Sequence, residues 1–208
     1  MEDLSSHSGL LTKVRVLELQ LRHMLTSCLG FWPDGIYTAP SVEAMTFDLK
    51  VLKNVGYNMI RKHIKVEPAL YYRACDEMGI LVIQDMVSLR PDLPDENDQY
   101  GTIRLDPGAQ PEFNRQLGLL VEQLKSYPSI FAWTIYNEEW GQATSPPWPE
   151  FPLTDMVRSL DPTRLINAVS GWTDHTAGDF DVSASISNYN ASAWSTSNIF
   201  RNVKVVPS

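Results

Sequence analysis

The sequence predicts an α/β fold in which a parallel sheet is flanked by outer helices, forming part of a (β/α)8 barrel. Three observations predict it. Apolar runs suited to buried strands begin near residues 57, 80, 130 and 165. A helical pattern fills each gap, and repeated βα units mean a parallel sheet. Two of the runs end abruptly in polar residues, Gln84-Asp85 and Asn137-Glu138, at the carboxyl ends where α/β folds build their sites. A closed eight-stranded barrel takes about 250 residues as a rule. Four strands, with further short candidates near 25–31 and 181–186, fall short of closure.

Residues 1–29 form a separate N-terminal segment. Leu10, Val14, Leu17, Leu21 and Leu25 have helical spacing there, and no chemistry accompanies them. Residues 31–37 are aromatic, and Pro33-Asp34-Gly35 supplies a tight turn. Residues 41–55 spell a helix. Ser41 can cap it, Glu43 suits its first turn, Met45, Leu49 and Leu52 share a face, and Gly56 can close it. A short strand at 57–61 follows. Pro68 then opens a second helix, with Leu70, Tyr71, Ala74, Cys75 and Met78 as its inner stripe and Gly79 at its end.

The run at 80–83 is the next strand. Residues 86–110 are long, proline-marked and acidic, a length usually tied to function or disorder. A third helix over 111–126 turns Phe113, Leu117, Leu120, Val121 and Leu124 inward, and the central strand over 129–136 follows it. A proline-rich loop leads to a short helix near 153–160 and a strand at 165–169. The barrel-like part spans 30–182, and the tail from 183 to 208 is Ser/Asn-rich.

Composition narrows the function classes. Hydrophobic content of 43% with 20% charged residues fits a globular chain. Seventeen basic against 25 acidic residues give a net charge of −8, which argues against nucleic acid and anionic membranes as partners. No apolar run approaches the ~20 residues that span a bilayer. No basic stretch followed by an apolar core opens the chain, so a cytoplasmic location is the default expectation. Cys28 and Cys75 read as reduced thiols, and the four scattered histidines give no metal-ligand spacing. No cofactor is expected, and no Gly-rich loop follows a strand to hold a nucleotide.

The chemistry concentrates at Asn137-Glu138-Glu139-Trp140. An uncompensated carboxylate is costly to bury, so a glutamate at a strand end needs a partner or an open cleft. Trp140 offers a flat apolar surface on which a sugar ring can stack. The bland alternative is a solvated pair of acids capping the next helix.

Five ordered blocks carry a family resemblance. They are Phe31-Trp32-Pro33-Asp34-Gly35-Ile36-Tyr37-Thr38-Ala39-Pro40, Gly56-Tyr57-Asn58-Met59-Ile60-Arg61-Lys62-His63 and Cys75-Asp76-Glu77-Met78-Gly79-Ile80-Leu81-Val82. After these come the stretch from Pro128 through Asn137-Glu138-Glu139-Trp140-Gly141-Gln142, and Leu160-Asp161-Pro162-Thr163-Arg164-Leu165 with Ser170-Gly171-Trp172-Thr173-Asp174. Together, over about residues 30–180, they resemble the catalytic TIM barrel of glycoside hydrolase family 2, the β-galactosidase, β-glucuronidase and β-mannosidase group.

The resemblance implies retaining hydrolysis of a β-glycoside, with carbohydrate as the partner. Glu138 matches the general acid/base, and Asn137 the residue that hydrogen-bonds the sugar 2-hydroxyl. Arg61 and His63 match strand-end residues that hold the catalytic carboxylates and the sugar. Asp85, Trp32, Asp34 and Trp140 are further substrate-binding candidates. Each has a plainer alternative: Arg61 and Asp85 as a structural ion pair, His63 as a core histidine, Trp32 and Trp140 as packing.

The sequence departs from the family in one chemical respect. Retention needs a second carboxylate about 5–5.5 Å from the first, and no Glu follows Glu150. The family's β-sandwich domains and its His-Tyr-Pro block are also missing. The resemblance therefore implies a barrel truncated at both ends. It is either a glycosidase impaired for want of its nucleophile or a non-catalytic carbohydrate-binding remnant. Unpaired barrel edges would favour self-association.

Overall fold

The computed structural model describes residues 25–28, 30–88, 108–137, 149–170 and 177–179. Five strands lie among them: β1 (Leu25–Cys28), β2 (Met59–Lys62), β3 (Leu81–Asp85), β4 (Ile130–Asn137) and β5 (Leu165–Ser170). They pair in chain order, and every pair is parallel. Between β1 and β5 run the helices α1 (Val42–Asn54), α2 (Ala69–Met78), α3 (Gln110–Leu124) and α4 (Glu150–Leu160). The parallel α/β architecture is the one expected, with one strand more than the four counted with assurance. β1 is the short candidate strand expected near 25–31, and it corrects the helical spacing read as far as Leu25, because Leu25 opens the strand. The remainder of that segment, the candidate strand near 181–186 and the tail lie outside the described residues.

Local chemistry sets the helix boundaries. The Ser41 hydroxyl accepts the Ala44 N–H at 3.1 Å, a cap that contributes about 1 kcal/mol. At the other end of α1, Gly56 N–H reaches the Lys53 carbonyl (3.1 Å) and Tyr57 N–H the Leu52 carbonyl (2.9 Å). α2 closes with the same paired bonds, Gly79 to Asp76 at 3.2 Å and Ile80 to Cys75 at 2.9 Å. Gly79 has φ +65° there, a conformation that glycine adopts without strain. Each helix is thus turned straight into the strand that follows it.

The helices pack on one face of the sheet. Leu49, Tyr72, Leu117, Val121 and Val157 meet Ile60, Val82 and Ile166 from the strands. Met59, Ile83 and Ala132 form a second, smaller cluster on their own. All five inward residues expected on α3 are buried. The stripe expected on α2 is corrected at one position. Leu70 is 51% exposed, and Tyr72 is buried instead, its hydroxyl bonded to Gln84 at 2.7 Å. Between β3 and β4 the register slips by one residue at Phe131, since Val82 pairs Ile130 and Ile83 pairs Ala132. Such a bulge re-aims the side chains beyond it.

The Asp161-Pro162-Thr163-Arg164 block is an anchor at the amino-terminal end of the sheet. The Asp161 carboxylate accepts from Trp133 Nε1 (3.0 Å), from the Thr163 N–H (3.1 Å) and hydroxyl (2.6 Å), and from Arg164 Nη1 (2.7 Å). Arg164 also donates to the Ile130 and Tyr127 carbonyls, at 2.6 and 3.0 Å. Burial raises the Asp161 pKa, but the hydrogen bonds from Thr163 and Trp133 and the Arg164 charge outweigh it and hold the group below its ordinary value.

A carboxyl whose folded pKa is depressed stabilises the fold above its unfolded value and loses that contribution as pH falls through the folded value. Asp161→Asn is therefore expected to lower stability by about 1–3 kcal/mol at neutral pH. The deficit should shrink below about pH 4, near the unfolded carboxyl value. Urea unfolding of both proteins at pH 7 and pH 3 measures it.

Candidate active site at the carboxyl ends of the strands

Residues two apart on a strand face the same side. Two residues beyond Met59 and Ile83, on the face away from the helices, stand Arg61 and Asp85. Arg61 Nε donates to both Asp85 oxygens at 3.0 Å, and its Nη2 donates to Oδ2 at 2.8 Å. The same Nη2 reaches Asn137 Oδ1 at 2.8 Å. His63 Nε2 lies 3.0 Å from that oxygen, and the Ile64 N–H points at Asp85 Oδ2 from 3.4 Å. Four residues from the ends of β2, β3 and β4 thus form one hydrogen-bonded cluster.

Donor and acceptor rules fix the protons within it. A guanidinium only donates, so the atom facing Arg61 is the amide oxygen of Asn137. The His63 nitrogen facing that oxygen then carries its proton. With Oδ1 engaged by two donors, the amide's remaining capacity is its pair of N–H groups, suited to a hydroxyl acceptor. Burial is graded across the cluster. Arg61 and Asp85 are 4% and 1% exposed, whereas His63 and Asn137 are half-buried. The Arg61–Asp85 pair sits beneath in fork geometry, and His63 and Asn137 form the rim.

The end of β4 divides its side chains between the two faces. The Tyr136 ring stacks on Phe113 of α3, with centroids 5.0 Å apart and an interplanar angle of 0°, while Asn137 joins the cluster. The row that contains Asp85 continues across the sheet as Thr134 on β4 and Asn167 on β5. Both are buried, and among the described residues Thr134 Oγ1 and both polar ends of the Asn167 side chain meet no hydrogen-bond partner. Sequence reasoning did not single out these two positions, because one Thr and one Asn inside apolar runs match no motif.

Trp32 and Asp34 occupy the tight turn expected from Pro33-Asp34-Gly35. Trp32 and Ile36 exchange backbone hydrogen bonds of 3.0 and 2.8 Å across it. A side chain at Gly35 would meet the Thr38 carbonyl oxygen at 2.1 Å, so the turn needs glycine. Trp32 is partly buried against the helix-side core and Asp34 is exposed. Among the described residues, no hydrogen bond joins either to the Arg61 cluster. Glu138 and Trp140 lie outside the described residues. No group of His, Cys, Asp and Glu that could hold a metal occurs among the described residues, nor does a helix long and apolar enough to cross a membrane.

Comparison with known proteins extends the picture. A family model described as "Glycosyl hydrolases family 2, TIM barrel domain" matches residues 38–204. A β-galactosidase of Psychromonas ingrahamii is 29% identical over 146 residues, covering 69% of this chain and 13% of that protein. One from Clostridium acetobutylicum is 27% identical over 138 residues, 60% of this chain and 14% of that protein. The chain spans only 12–14% of the length of the curated relatives it matches.

Among solved structures, Bacteroides uniformis β-glucuronidase 2 superposes with a TM-score of 0.58 at 18% identity, over 78% of this chain and 20% of that one. Parabacteroides merdae β-glucuronidase gives 0.53 at 21%, over 74% and 18%. At these identities the likeness speaks to the fold, that of a partial TIM barrel.

Proposed function

The chain belongs to glycoside hydrolase family 2, and on that premise we propose that the mouth of its sheet binds a β-glycoside for retaining hydrolysis. Glu138 acts as general acid/base, protonating the leaving oxygen and later taking a proton from water. Asn137 presents its amide N–H groups to the sugar 2-hydroxyl, and His63 shares the rim with it. Arg61 and Asp85 lie beneath and orient the amide. Trp140, Trp32 and Asp34 are proposed to contribute to substrate contact from the loops.

One observation carries the reading: the Arg61–Asp85–His63–Asn137 cluster ends at the residue directly before Glu138. A second reading is carbohydrate binding without turnover: the amide and imidazole at the rim can contact sugar hydroxyls without any bond being broken.

The test uses the full chain with p-nitrophenyl β-D-galactoside and p-nitrophenyl β-D-glucuronide, the sugars in the names of its relatives. Saturable binding is expected for at least one, weakened about tenfold by Asn137→Ala, the effect of losing one good hydrogen bond to the sugar. Release of p-nitrophenol decides for hydrolysis, and binding without release decides for the second reading. Failure to bind either sugar at millimolar concentration overturns both.

A further inference from the structure

We propose that Tyr72 and Gln84, which face away from the candidate site, are positioning residues for His63. They act through the segment that joins β2 to α2. The role rests on the reading of His63 as a sugar-binding residue.

The segment does not hold its shape by itself. Directly after His63, Ile64 has φ +47°, a left-handed conformation that a β-branched side chain resists. It must be pinned on both sides of that residue, and it is. The Ile64 N–H points at Asp85 Oδ2 from 3.4 Å. Gln84 Nε2 donates to the Lys65 carbonyl at 2.9 Å. Glu67 N–H donates to the Tyr72 hydroxyl oxygen at 3.1 Å, and that hydroxyl donates in turn to Gln84 Oε1 at 2.7 Å.

Adjacent residues of one strand point to opposite faces. Asp85 therefore holds Arg61 and Ile64 on the site side, while Gln84 holds Lys65 on the helix side. β3 fixes the backbone on both sides of the strained residue.

The chain of bonds leaves little freedom. Tyr72 and Gln84 are fully buried, so each of their polar atoms needs its partner. Gln84 Nε2 spends a further bond on the Asp85 carbonyl at 2.7 Å, which settles the orientation of the amide. Burial pushes the Tyr72 hydroxyl far up, which keeps it a neutral donor. Charges close the far end of the segment. Lys62 and Lys65 both pair with Glu67, and the Lys65 ammonium also meets the Gly30 carbonyl. A buried network satisfied at every member specifies one arrangement of the backbone that carries it. Here the backbone ends at His63, whose ring nitrogen meets Asn137 Oδ1.

The experiment compares Tyr72→Phe and Gln84→Leu with the wild-type full chain. Ring signals of His63 are followed by heteronuclear NMR, assigned through their loss in His63→Gln. Affinity for the p-nitrophenyl β-glycosides is measured alongside. The expected result is displaced or doubled His63 ring signals in both variants and a Kd raised about tenfold, the loss of roughly one hydrogen bond at the rim.

Asp161→Asn, which loosens the opposite end of the sheet, should lower stability and leave the His63 signals in place. Tyr72→Phe preserves side-chain volume and keeps the comparison open if Gln84→Leu fails to fold. His63 signals that coincide with the wild type in a folded variant would overturn the proposal and leave Tyr72 and Gln84 as core residues. If the wild type binds neither glycoside, the functional reading falls, and the ring signals still decide the positioning role.

Discussion

Arg61→Met is expected to cost the fold about 3–5 kcal/mol, because it strands a buried carboxylate. Asp85 is 1% exposed, and its two oxygens take three hydrogen bonds from Arg61 against one long bond from the Ile64 N–H. Methionine matches the length of the arginine stem and returns none of those donors. The loss is large beside the 5–15 kcal/mol that typically separates folded from unfolded states.

The pair is not thereby a net source of stability, since desolvating two charges offsets most of their attraction. The double variant Arg61→Met/Asp85→Leu should accordingly recover much of the loss. Urea unfolding of the wild type, both single variants and the double variant closes the cycle. A double variant as unstable as the sum of the two singles would mean that each residue acts through other partners.

Recovery of stability without recovery of sugar binding would separate the two roles of Arg61. One Nη2 group serves Asp85 and Asn137 together. The apolar double variant can fill the volume of the pair but cannot orient the Asn137 amide.

What the sequence made legible follows from one rule: patterns reveal which face of an element is apolar. The central strand, the five inward residues of α3 and the cap at Ser41 are all signals confined to their own element, and each was readable. β1 was less so, because Leu-Thr-Ser-Cys has no apolar run and becomes a strand through pairing with β2. Tyr72 was missed for a related reason. Periodicity placed Leu70 inside, whereas the hydroxyl of Tyr72 finds its partner in Gln84, twelve residues away.

Buried charges are the hardest case. Lys62 and Lys65 look like surface residues until Glu67 is seen between them. The polar cluster at the mouth was legible in part. Asp85 and Asn137 each end an apolar run, and an Arg61–Asp85 ion pair is among the alternatives the sequence offers, but that Arg61 reaches Asn137 as well is a fact of three strands brought together. Asp161 is the converse. It stands in a block that resembles the family, yet its bonds go to Trp133, Thr163 and Arg164 at the end of the sheet away from the cluster.

Glu138→Gln is expected to lower hydrolysis of an unactivated β-glycoside about a hundred- to ten-thousandfold, the range that general acid/base groups contribute. Glutamine keeps the size and hydrogen-bonding oxygen of the side chain but cannot hand over a proton. Ground-state binding should therefore persist, and the defect should fall on kcat rather than on Kd. In kcat/KM, which reports the bond-breaking step and not the later attack of water, the size of the defect should also depend on the leaving group. An aryl oxygen bearing strong electron-withdrawing groups departs without much protonation, so its release should suffer least. An alkyl glycoside, whose oxygen needs the proton, should suffer most.

That gradient separates proton transfer from mere disturbance of the mouth, which would slow all substrates alike. Asn137→Ala supplies the contrast, because removing the amide should weaken sugar binding and slow every leaving group by a similar factor. A Glu138→Gln protein that hydrolyses alkyl and activated aryl glycosides with the same small deficit would remove Glu138 from the chemistry. Unchanged sugar affinity in that variant, with no hydrolysis in the wild type, would assign the chain to carbohydrate binding.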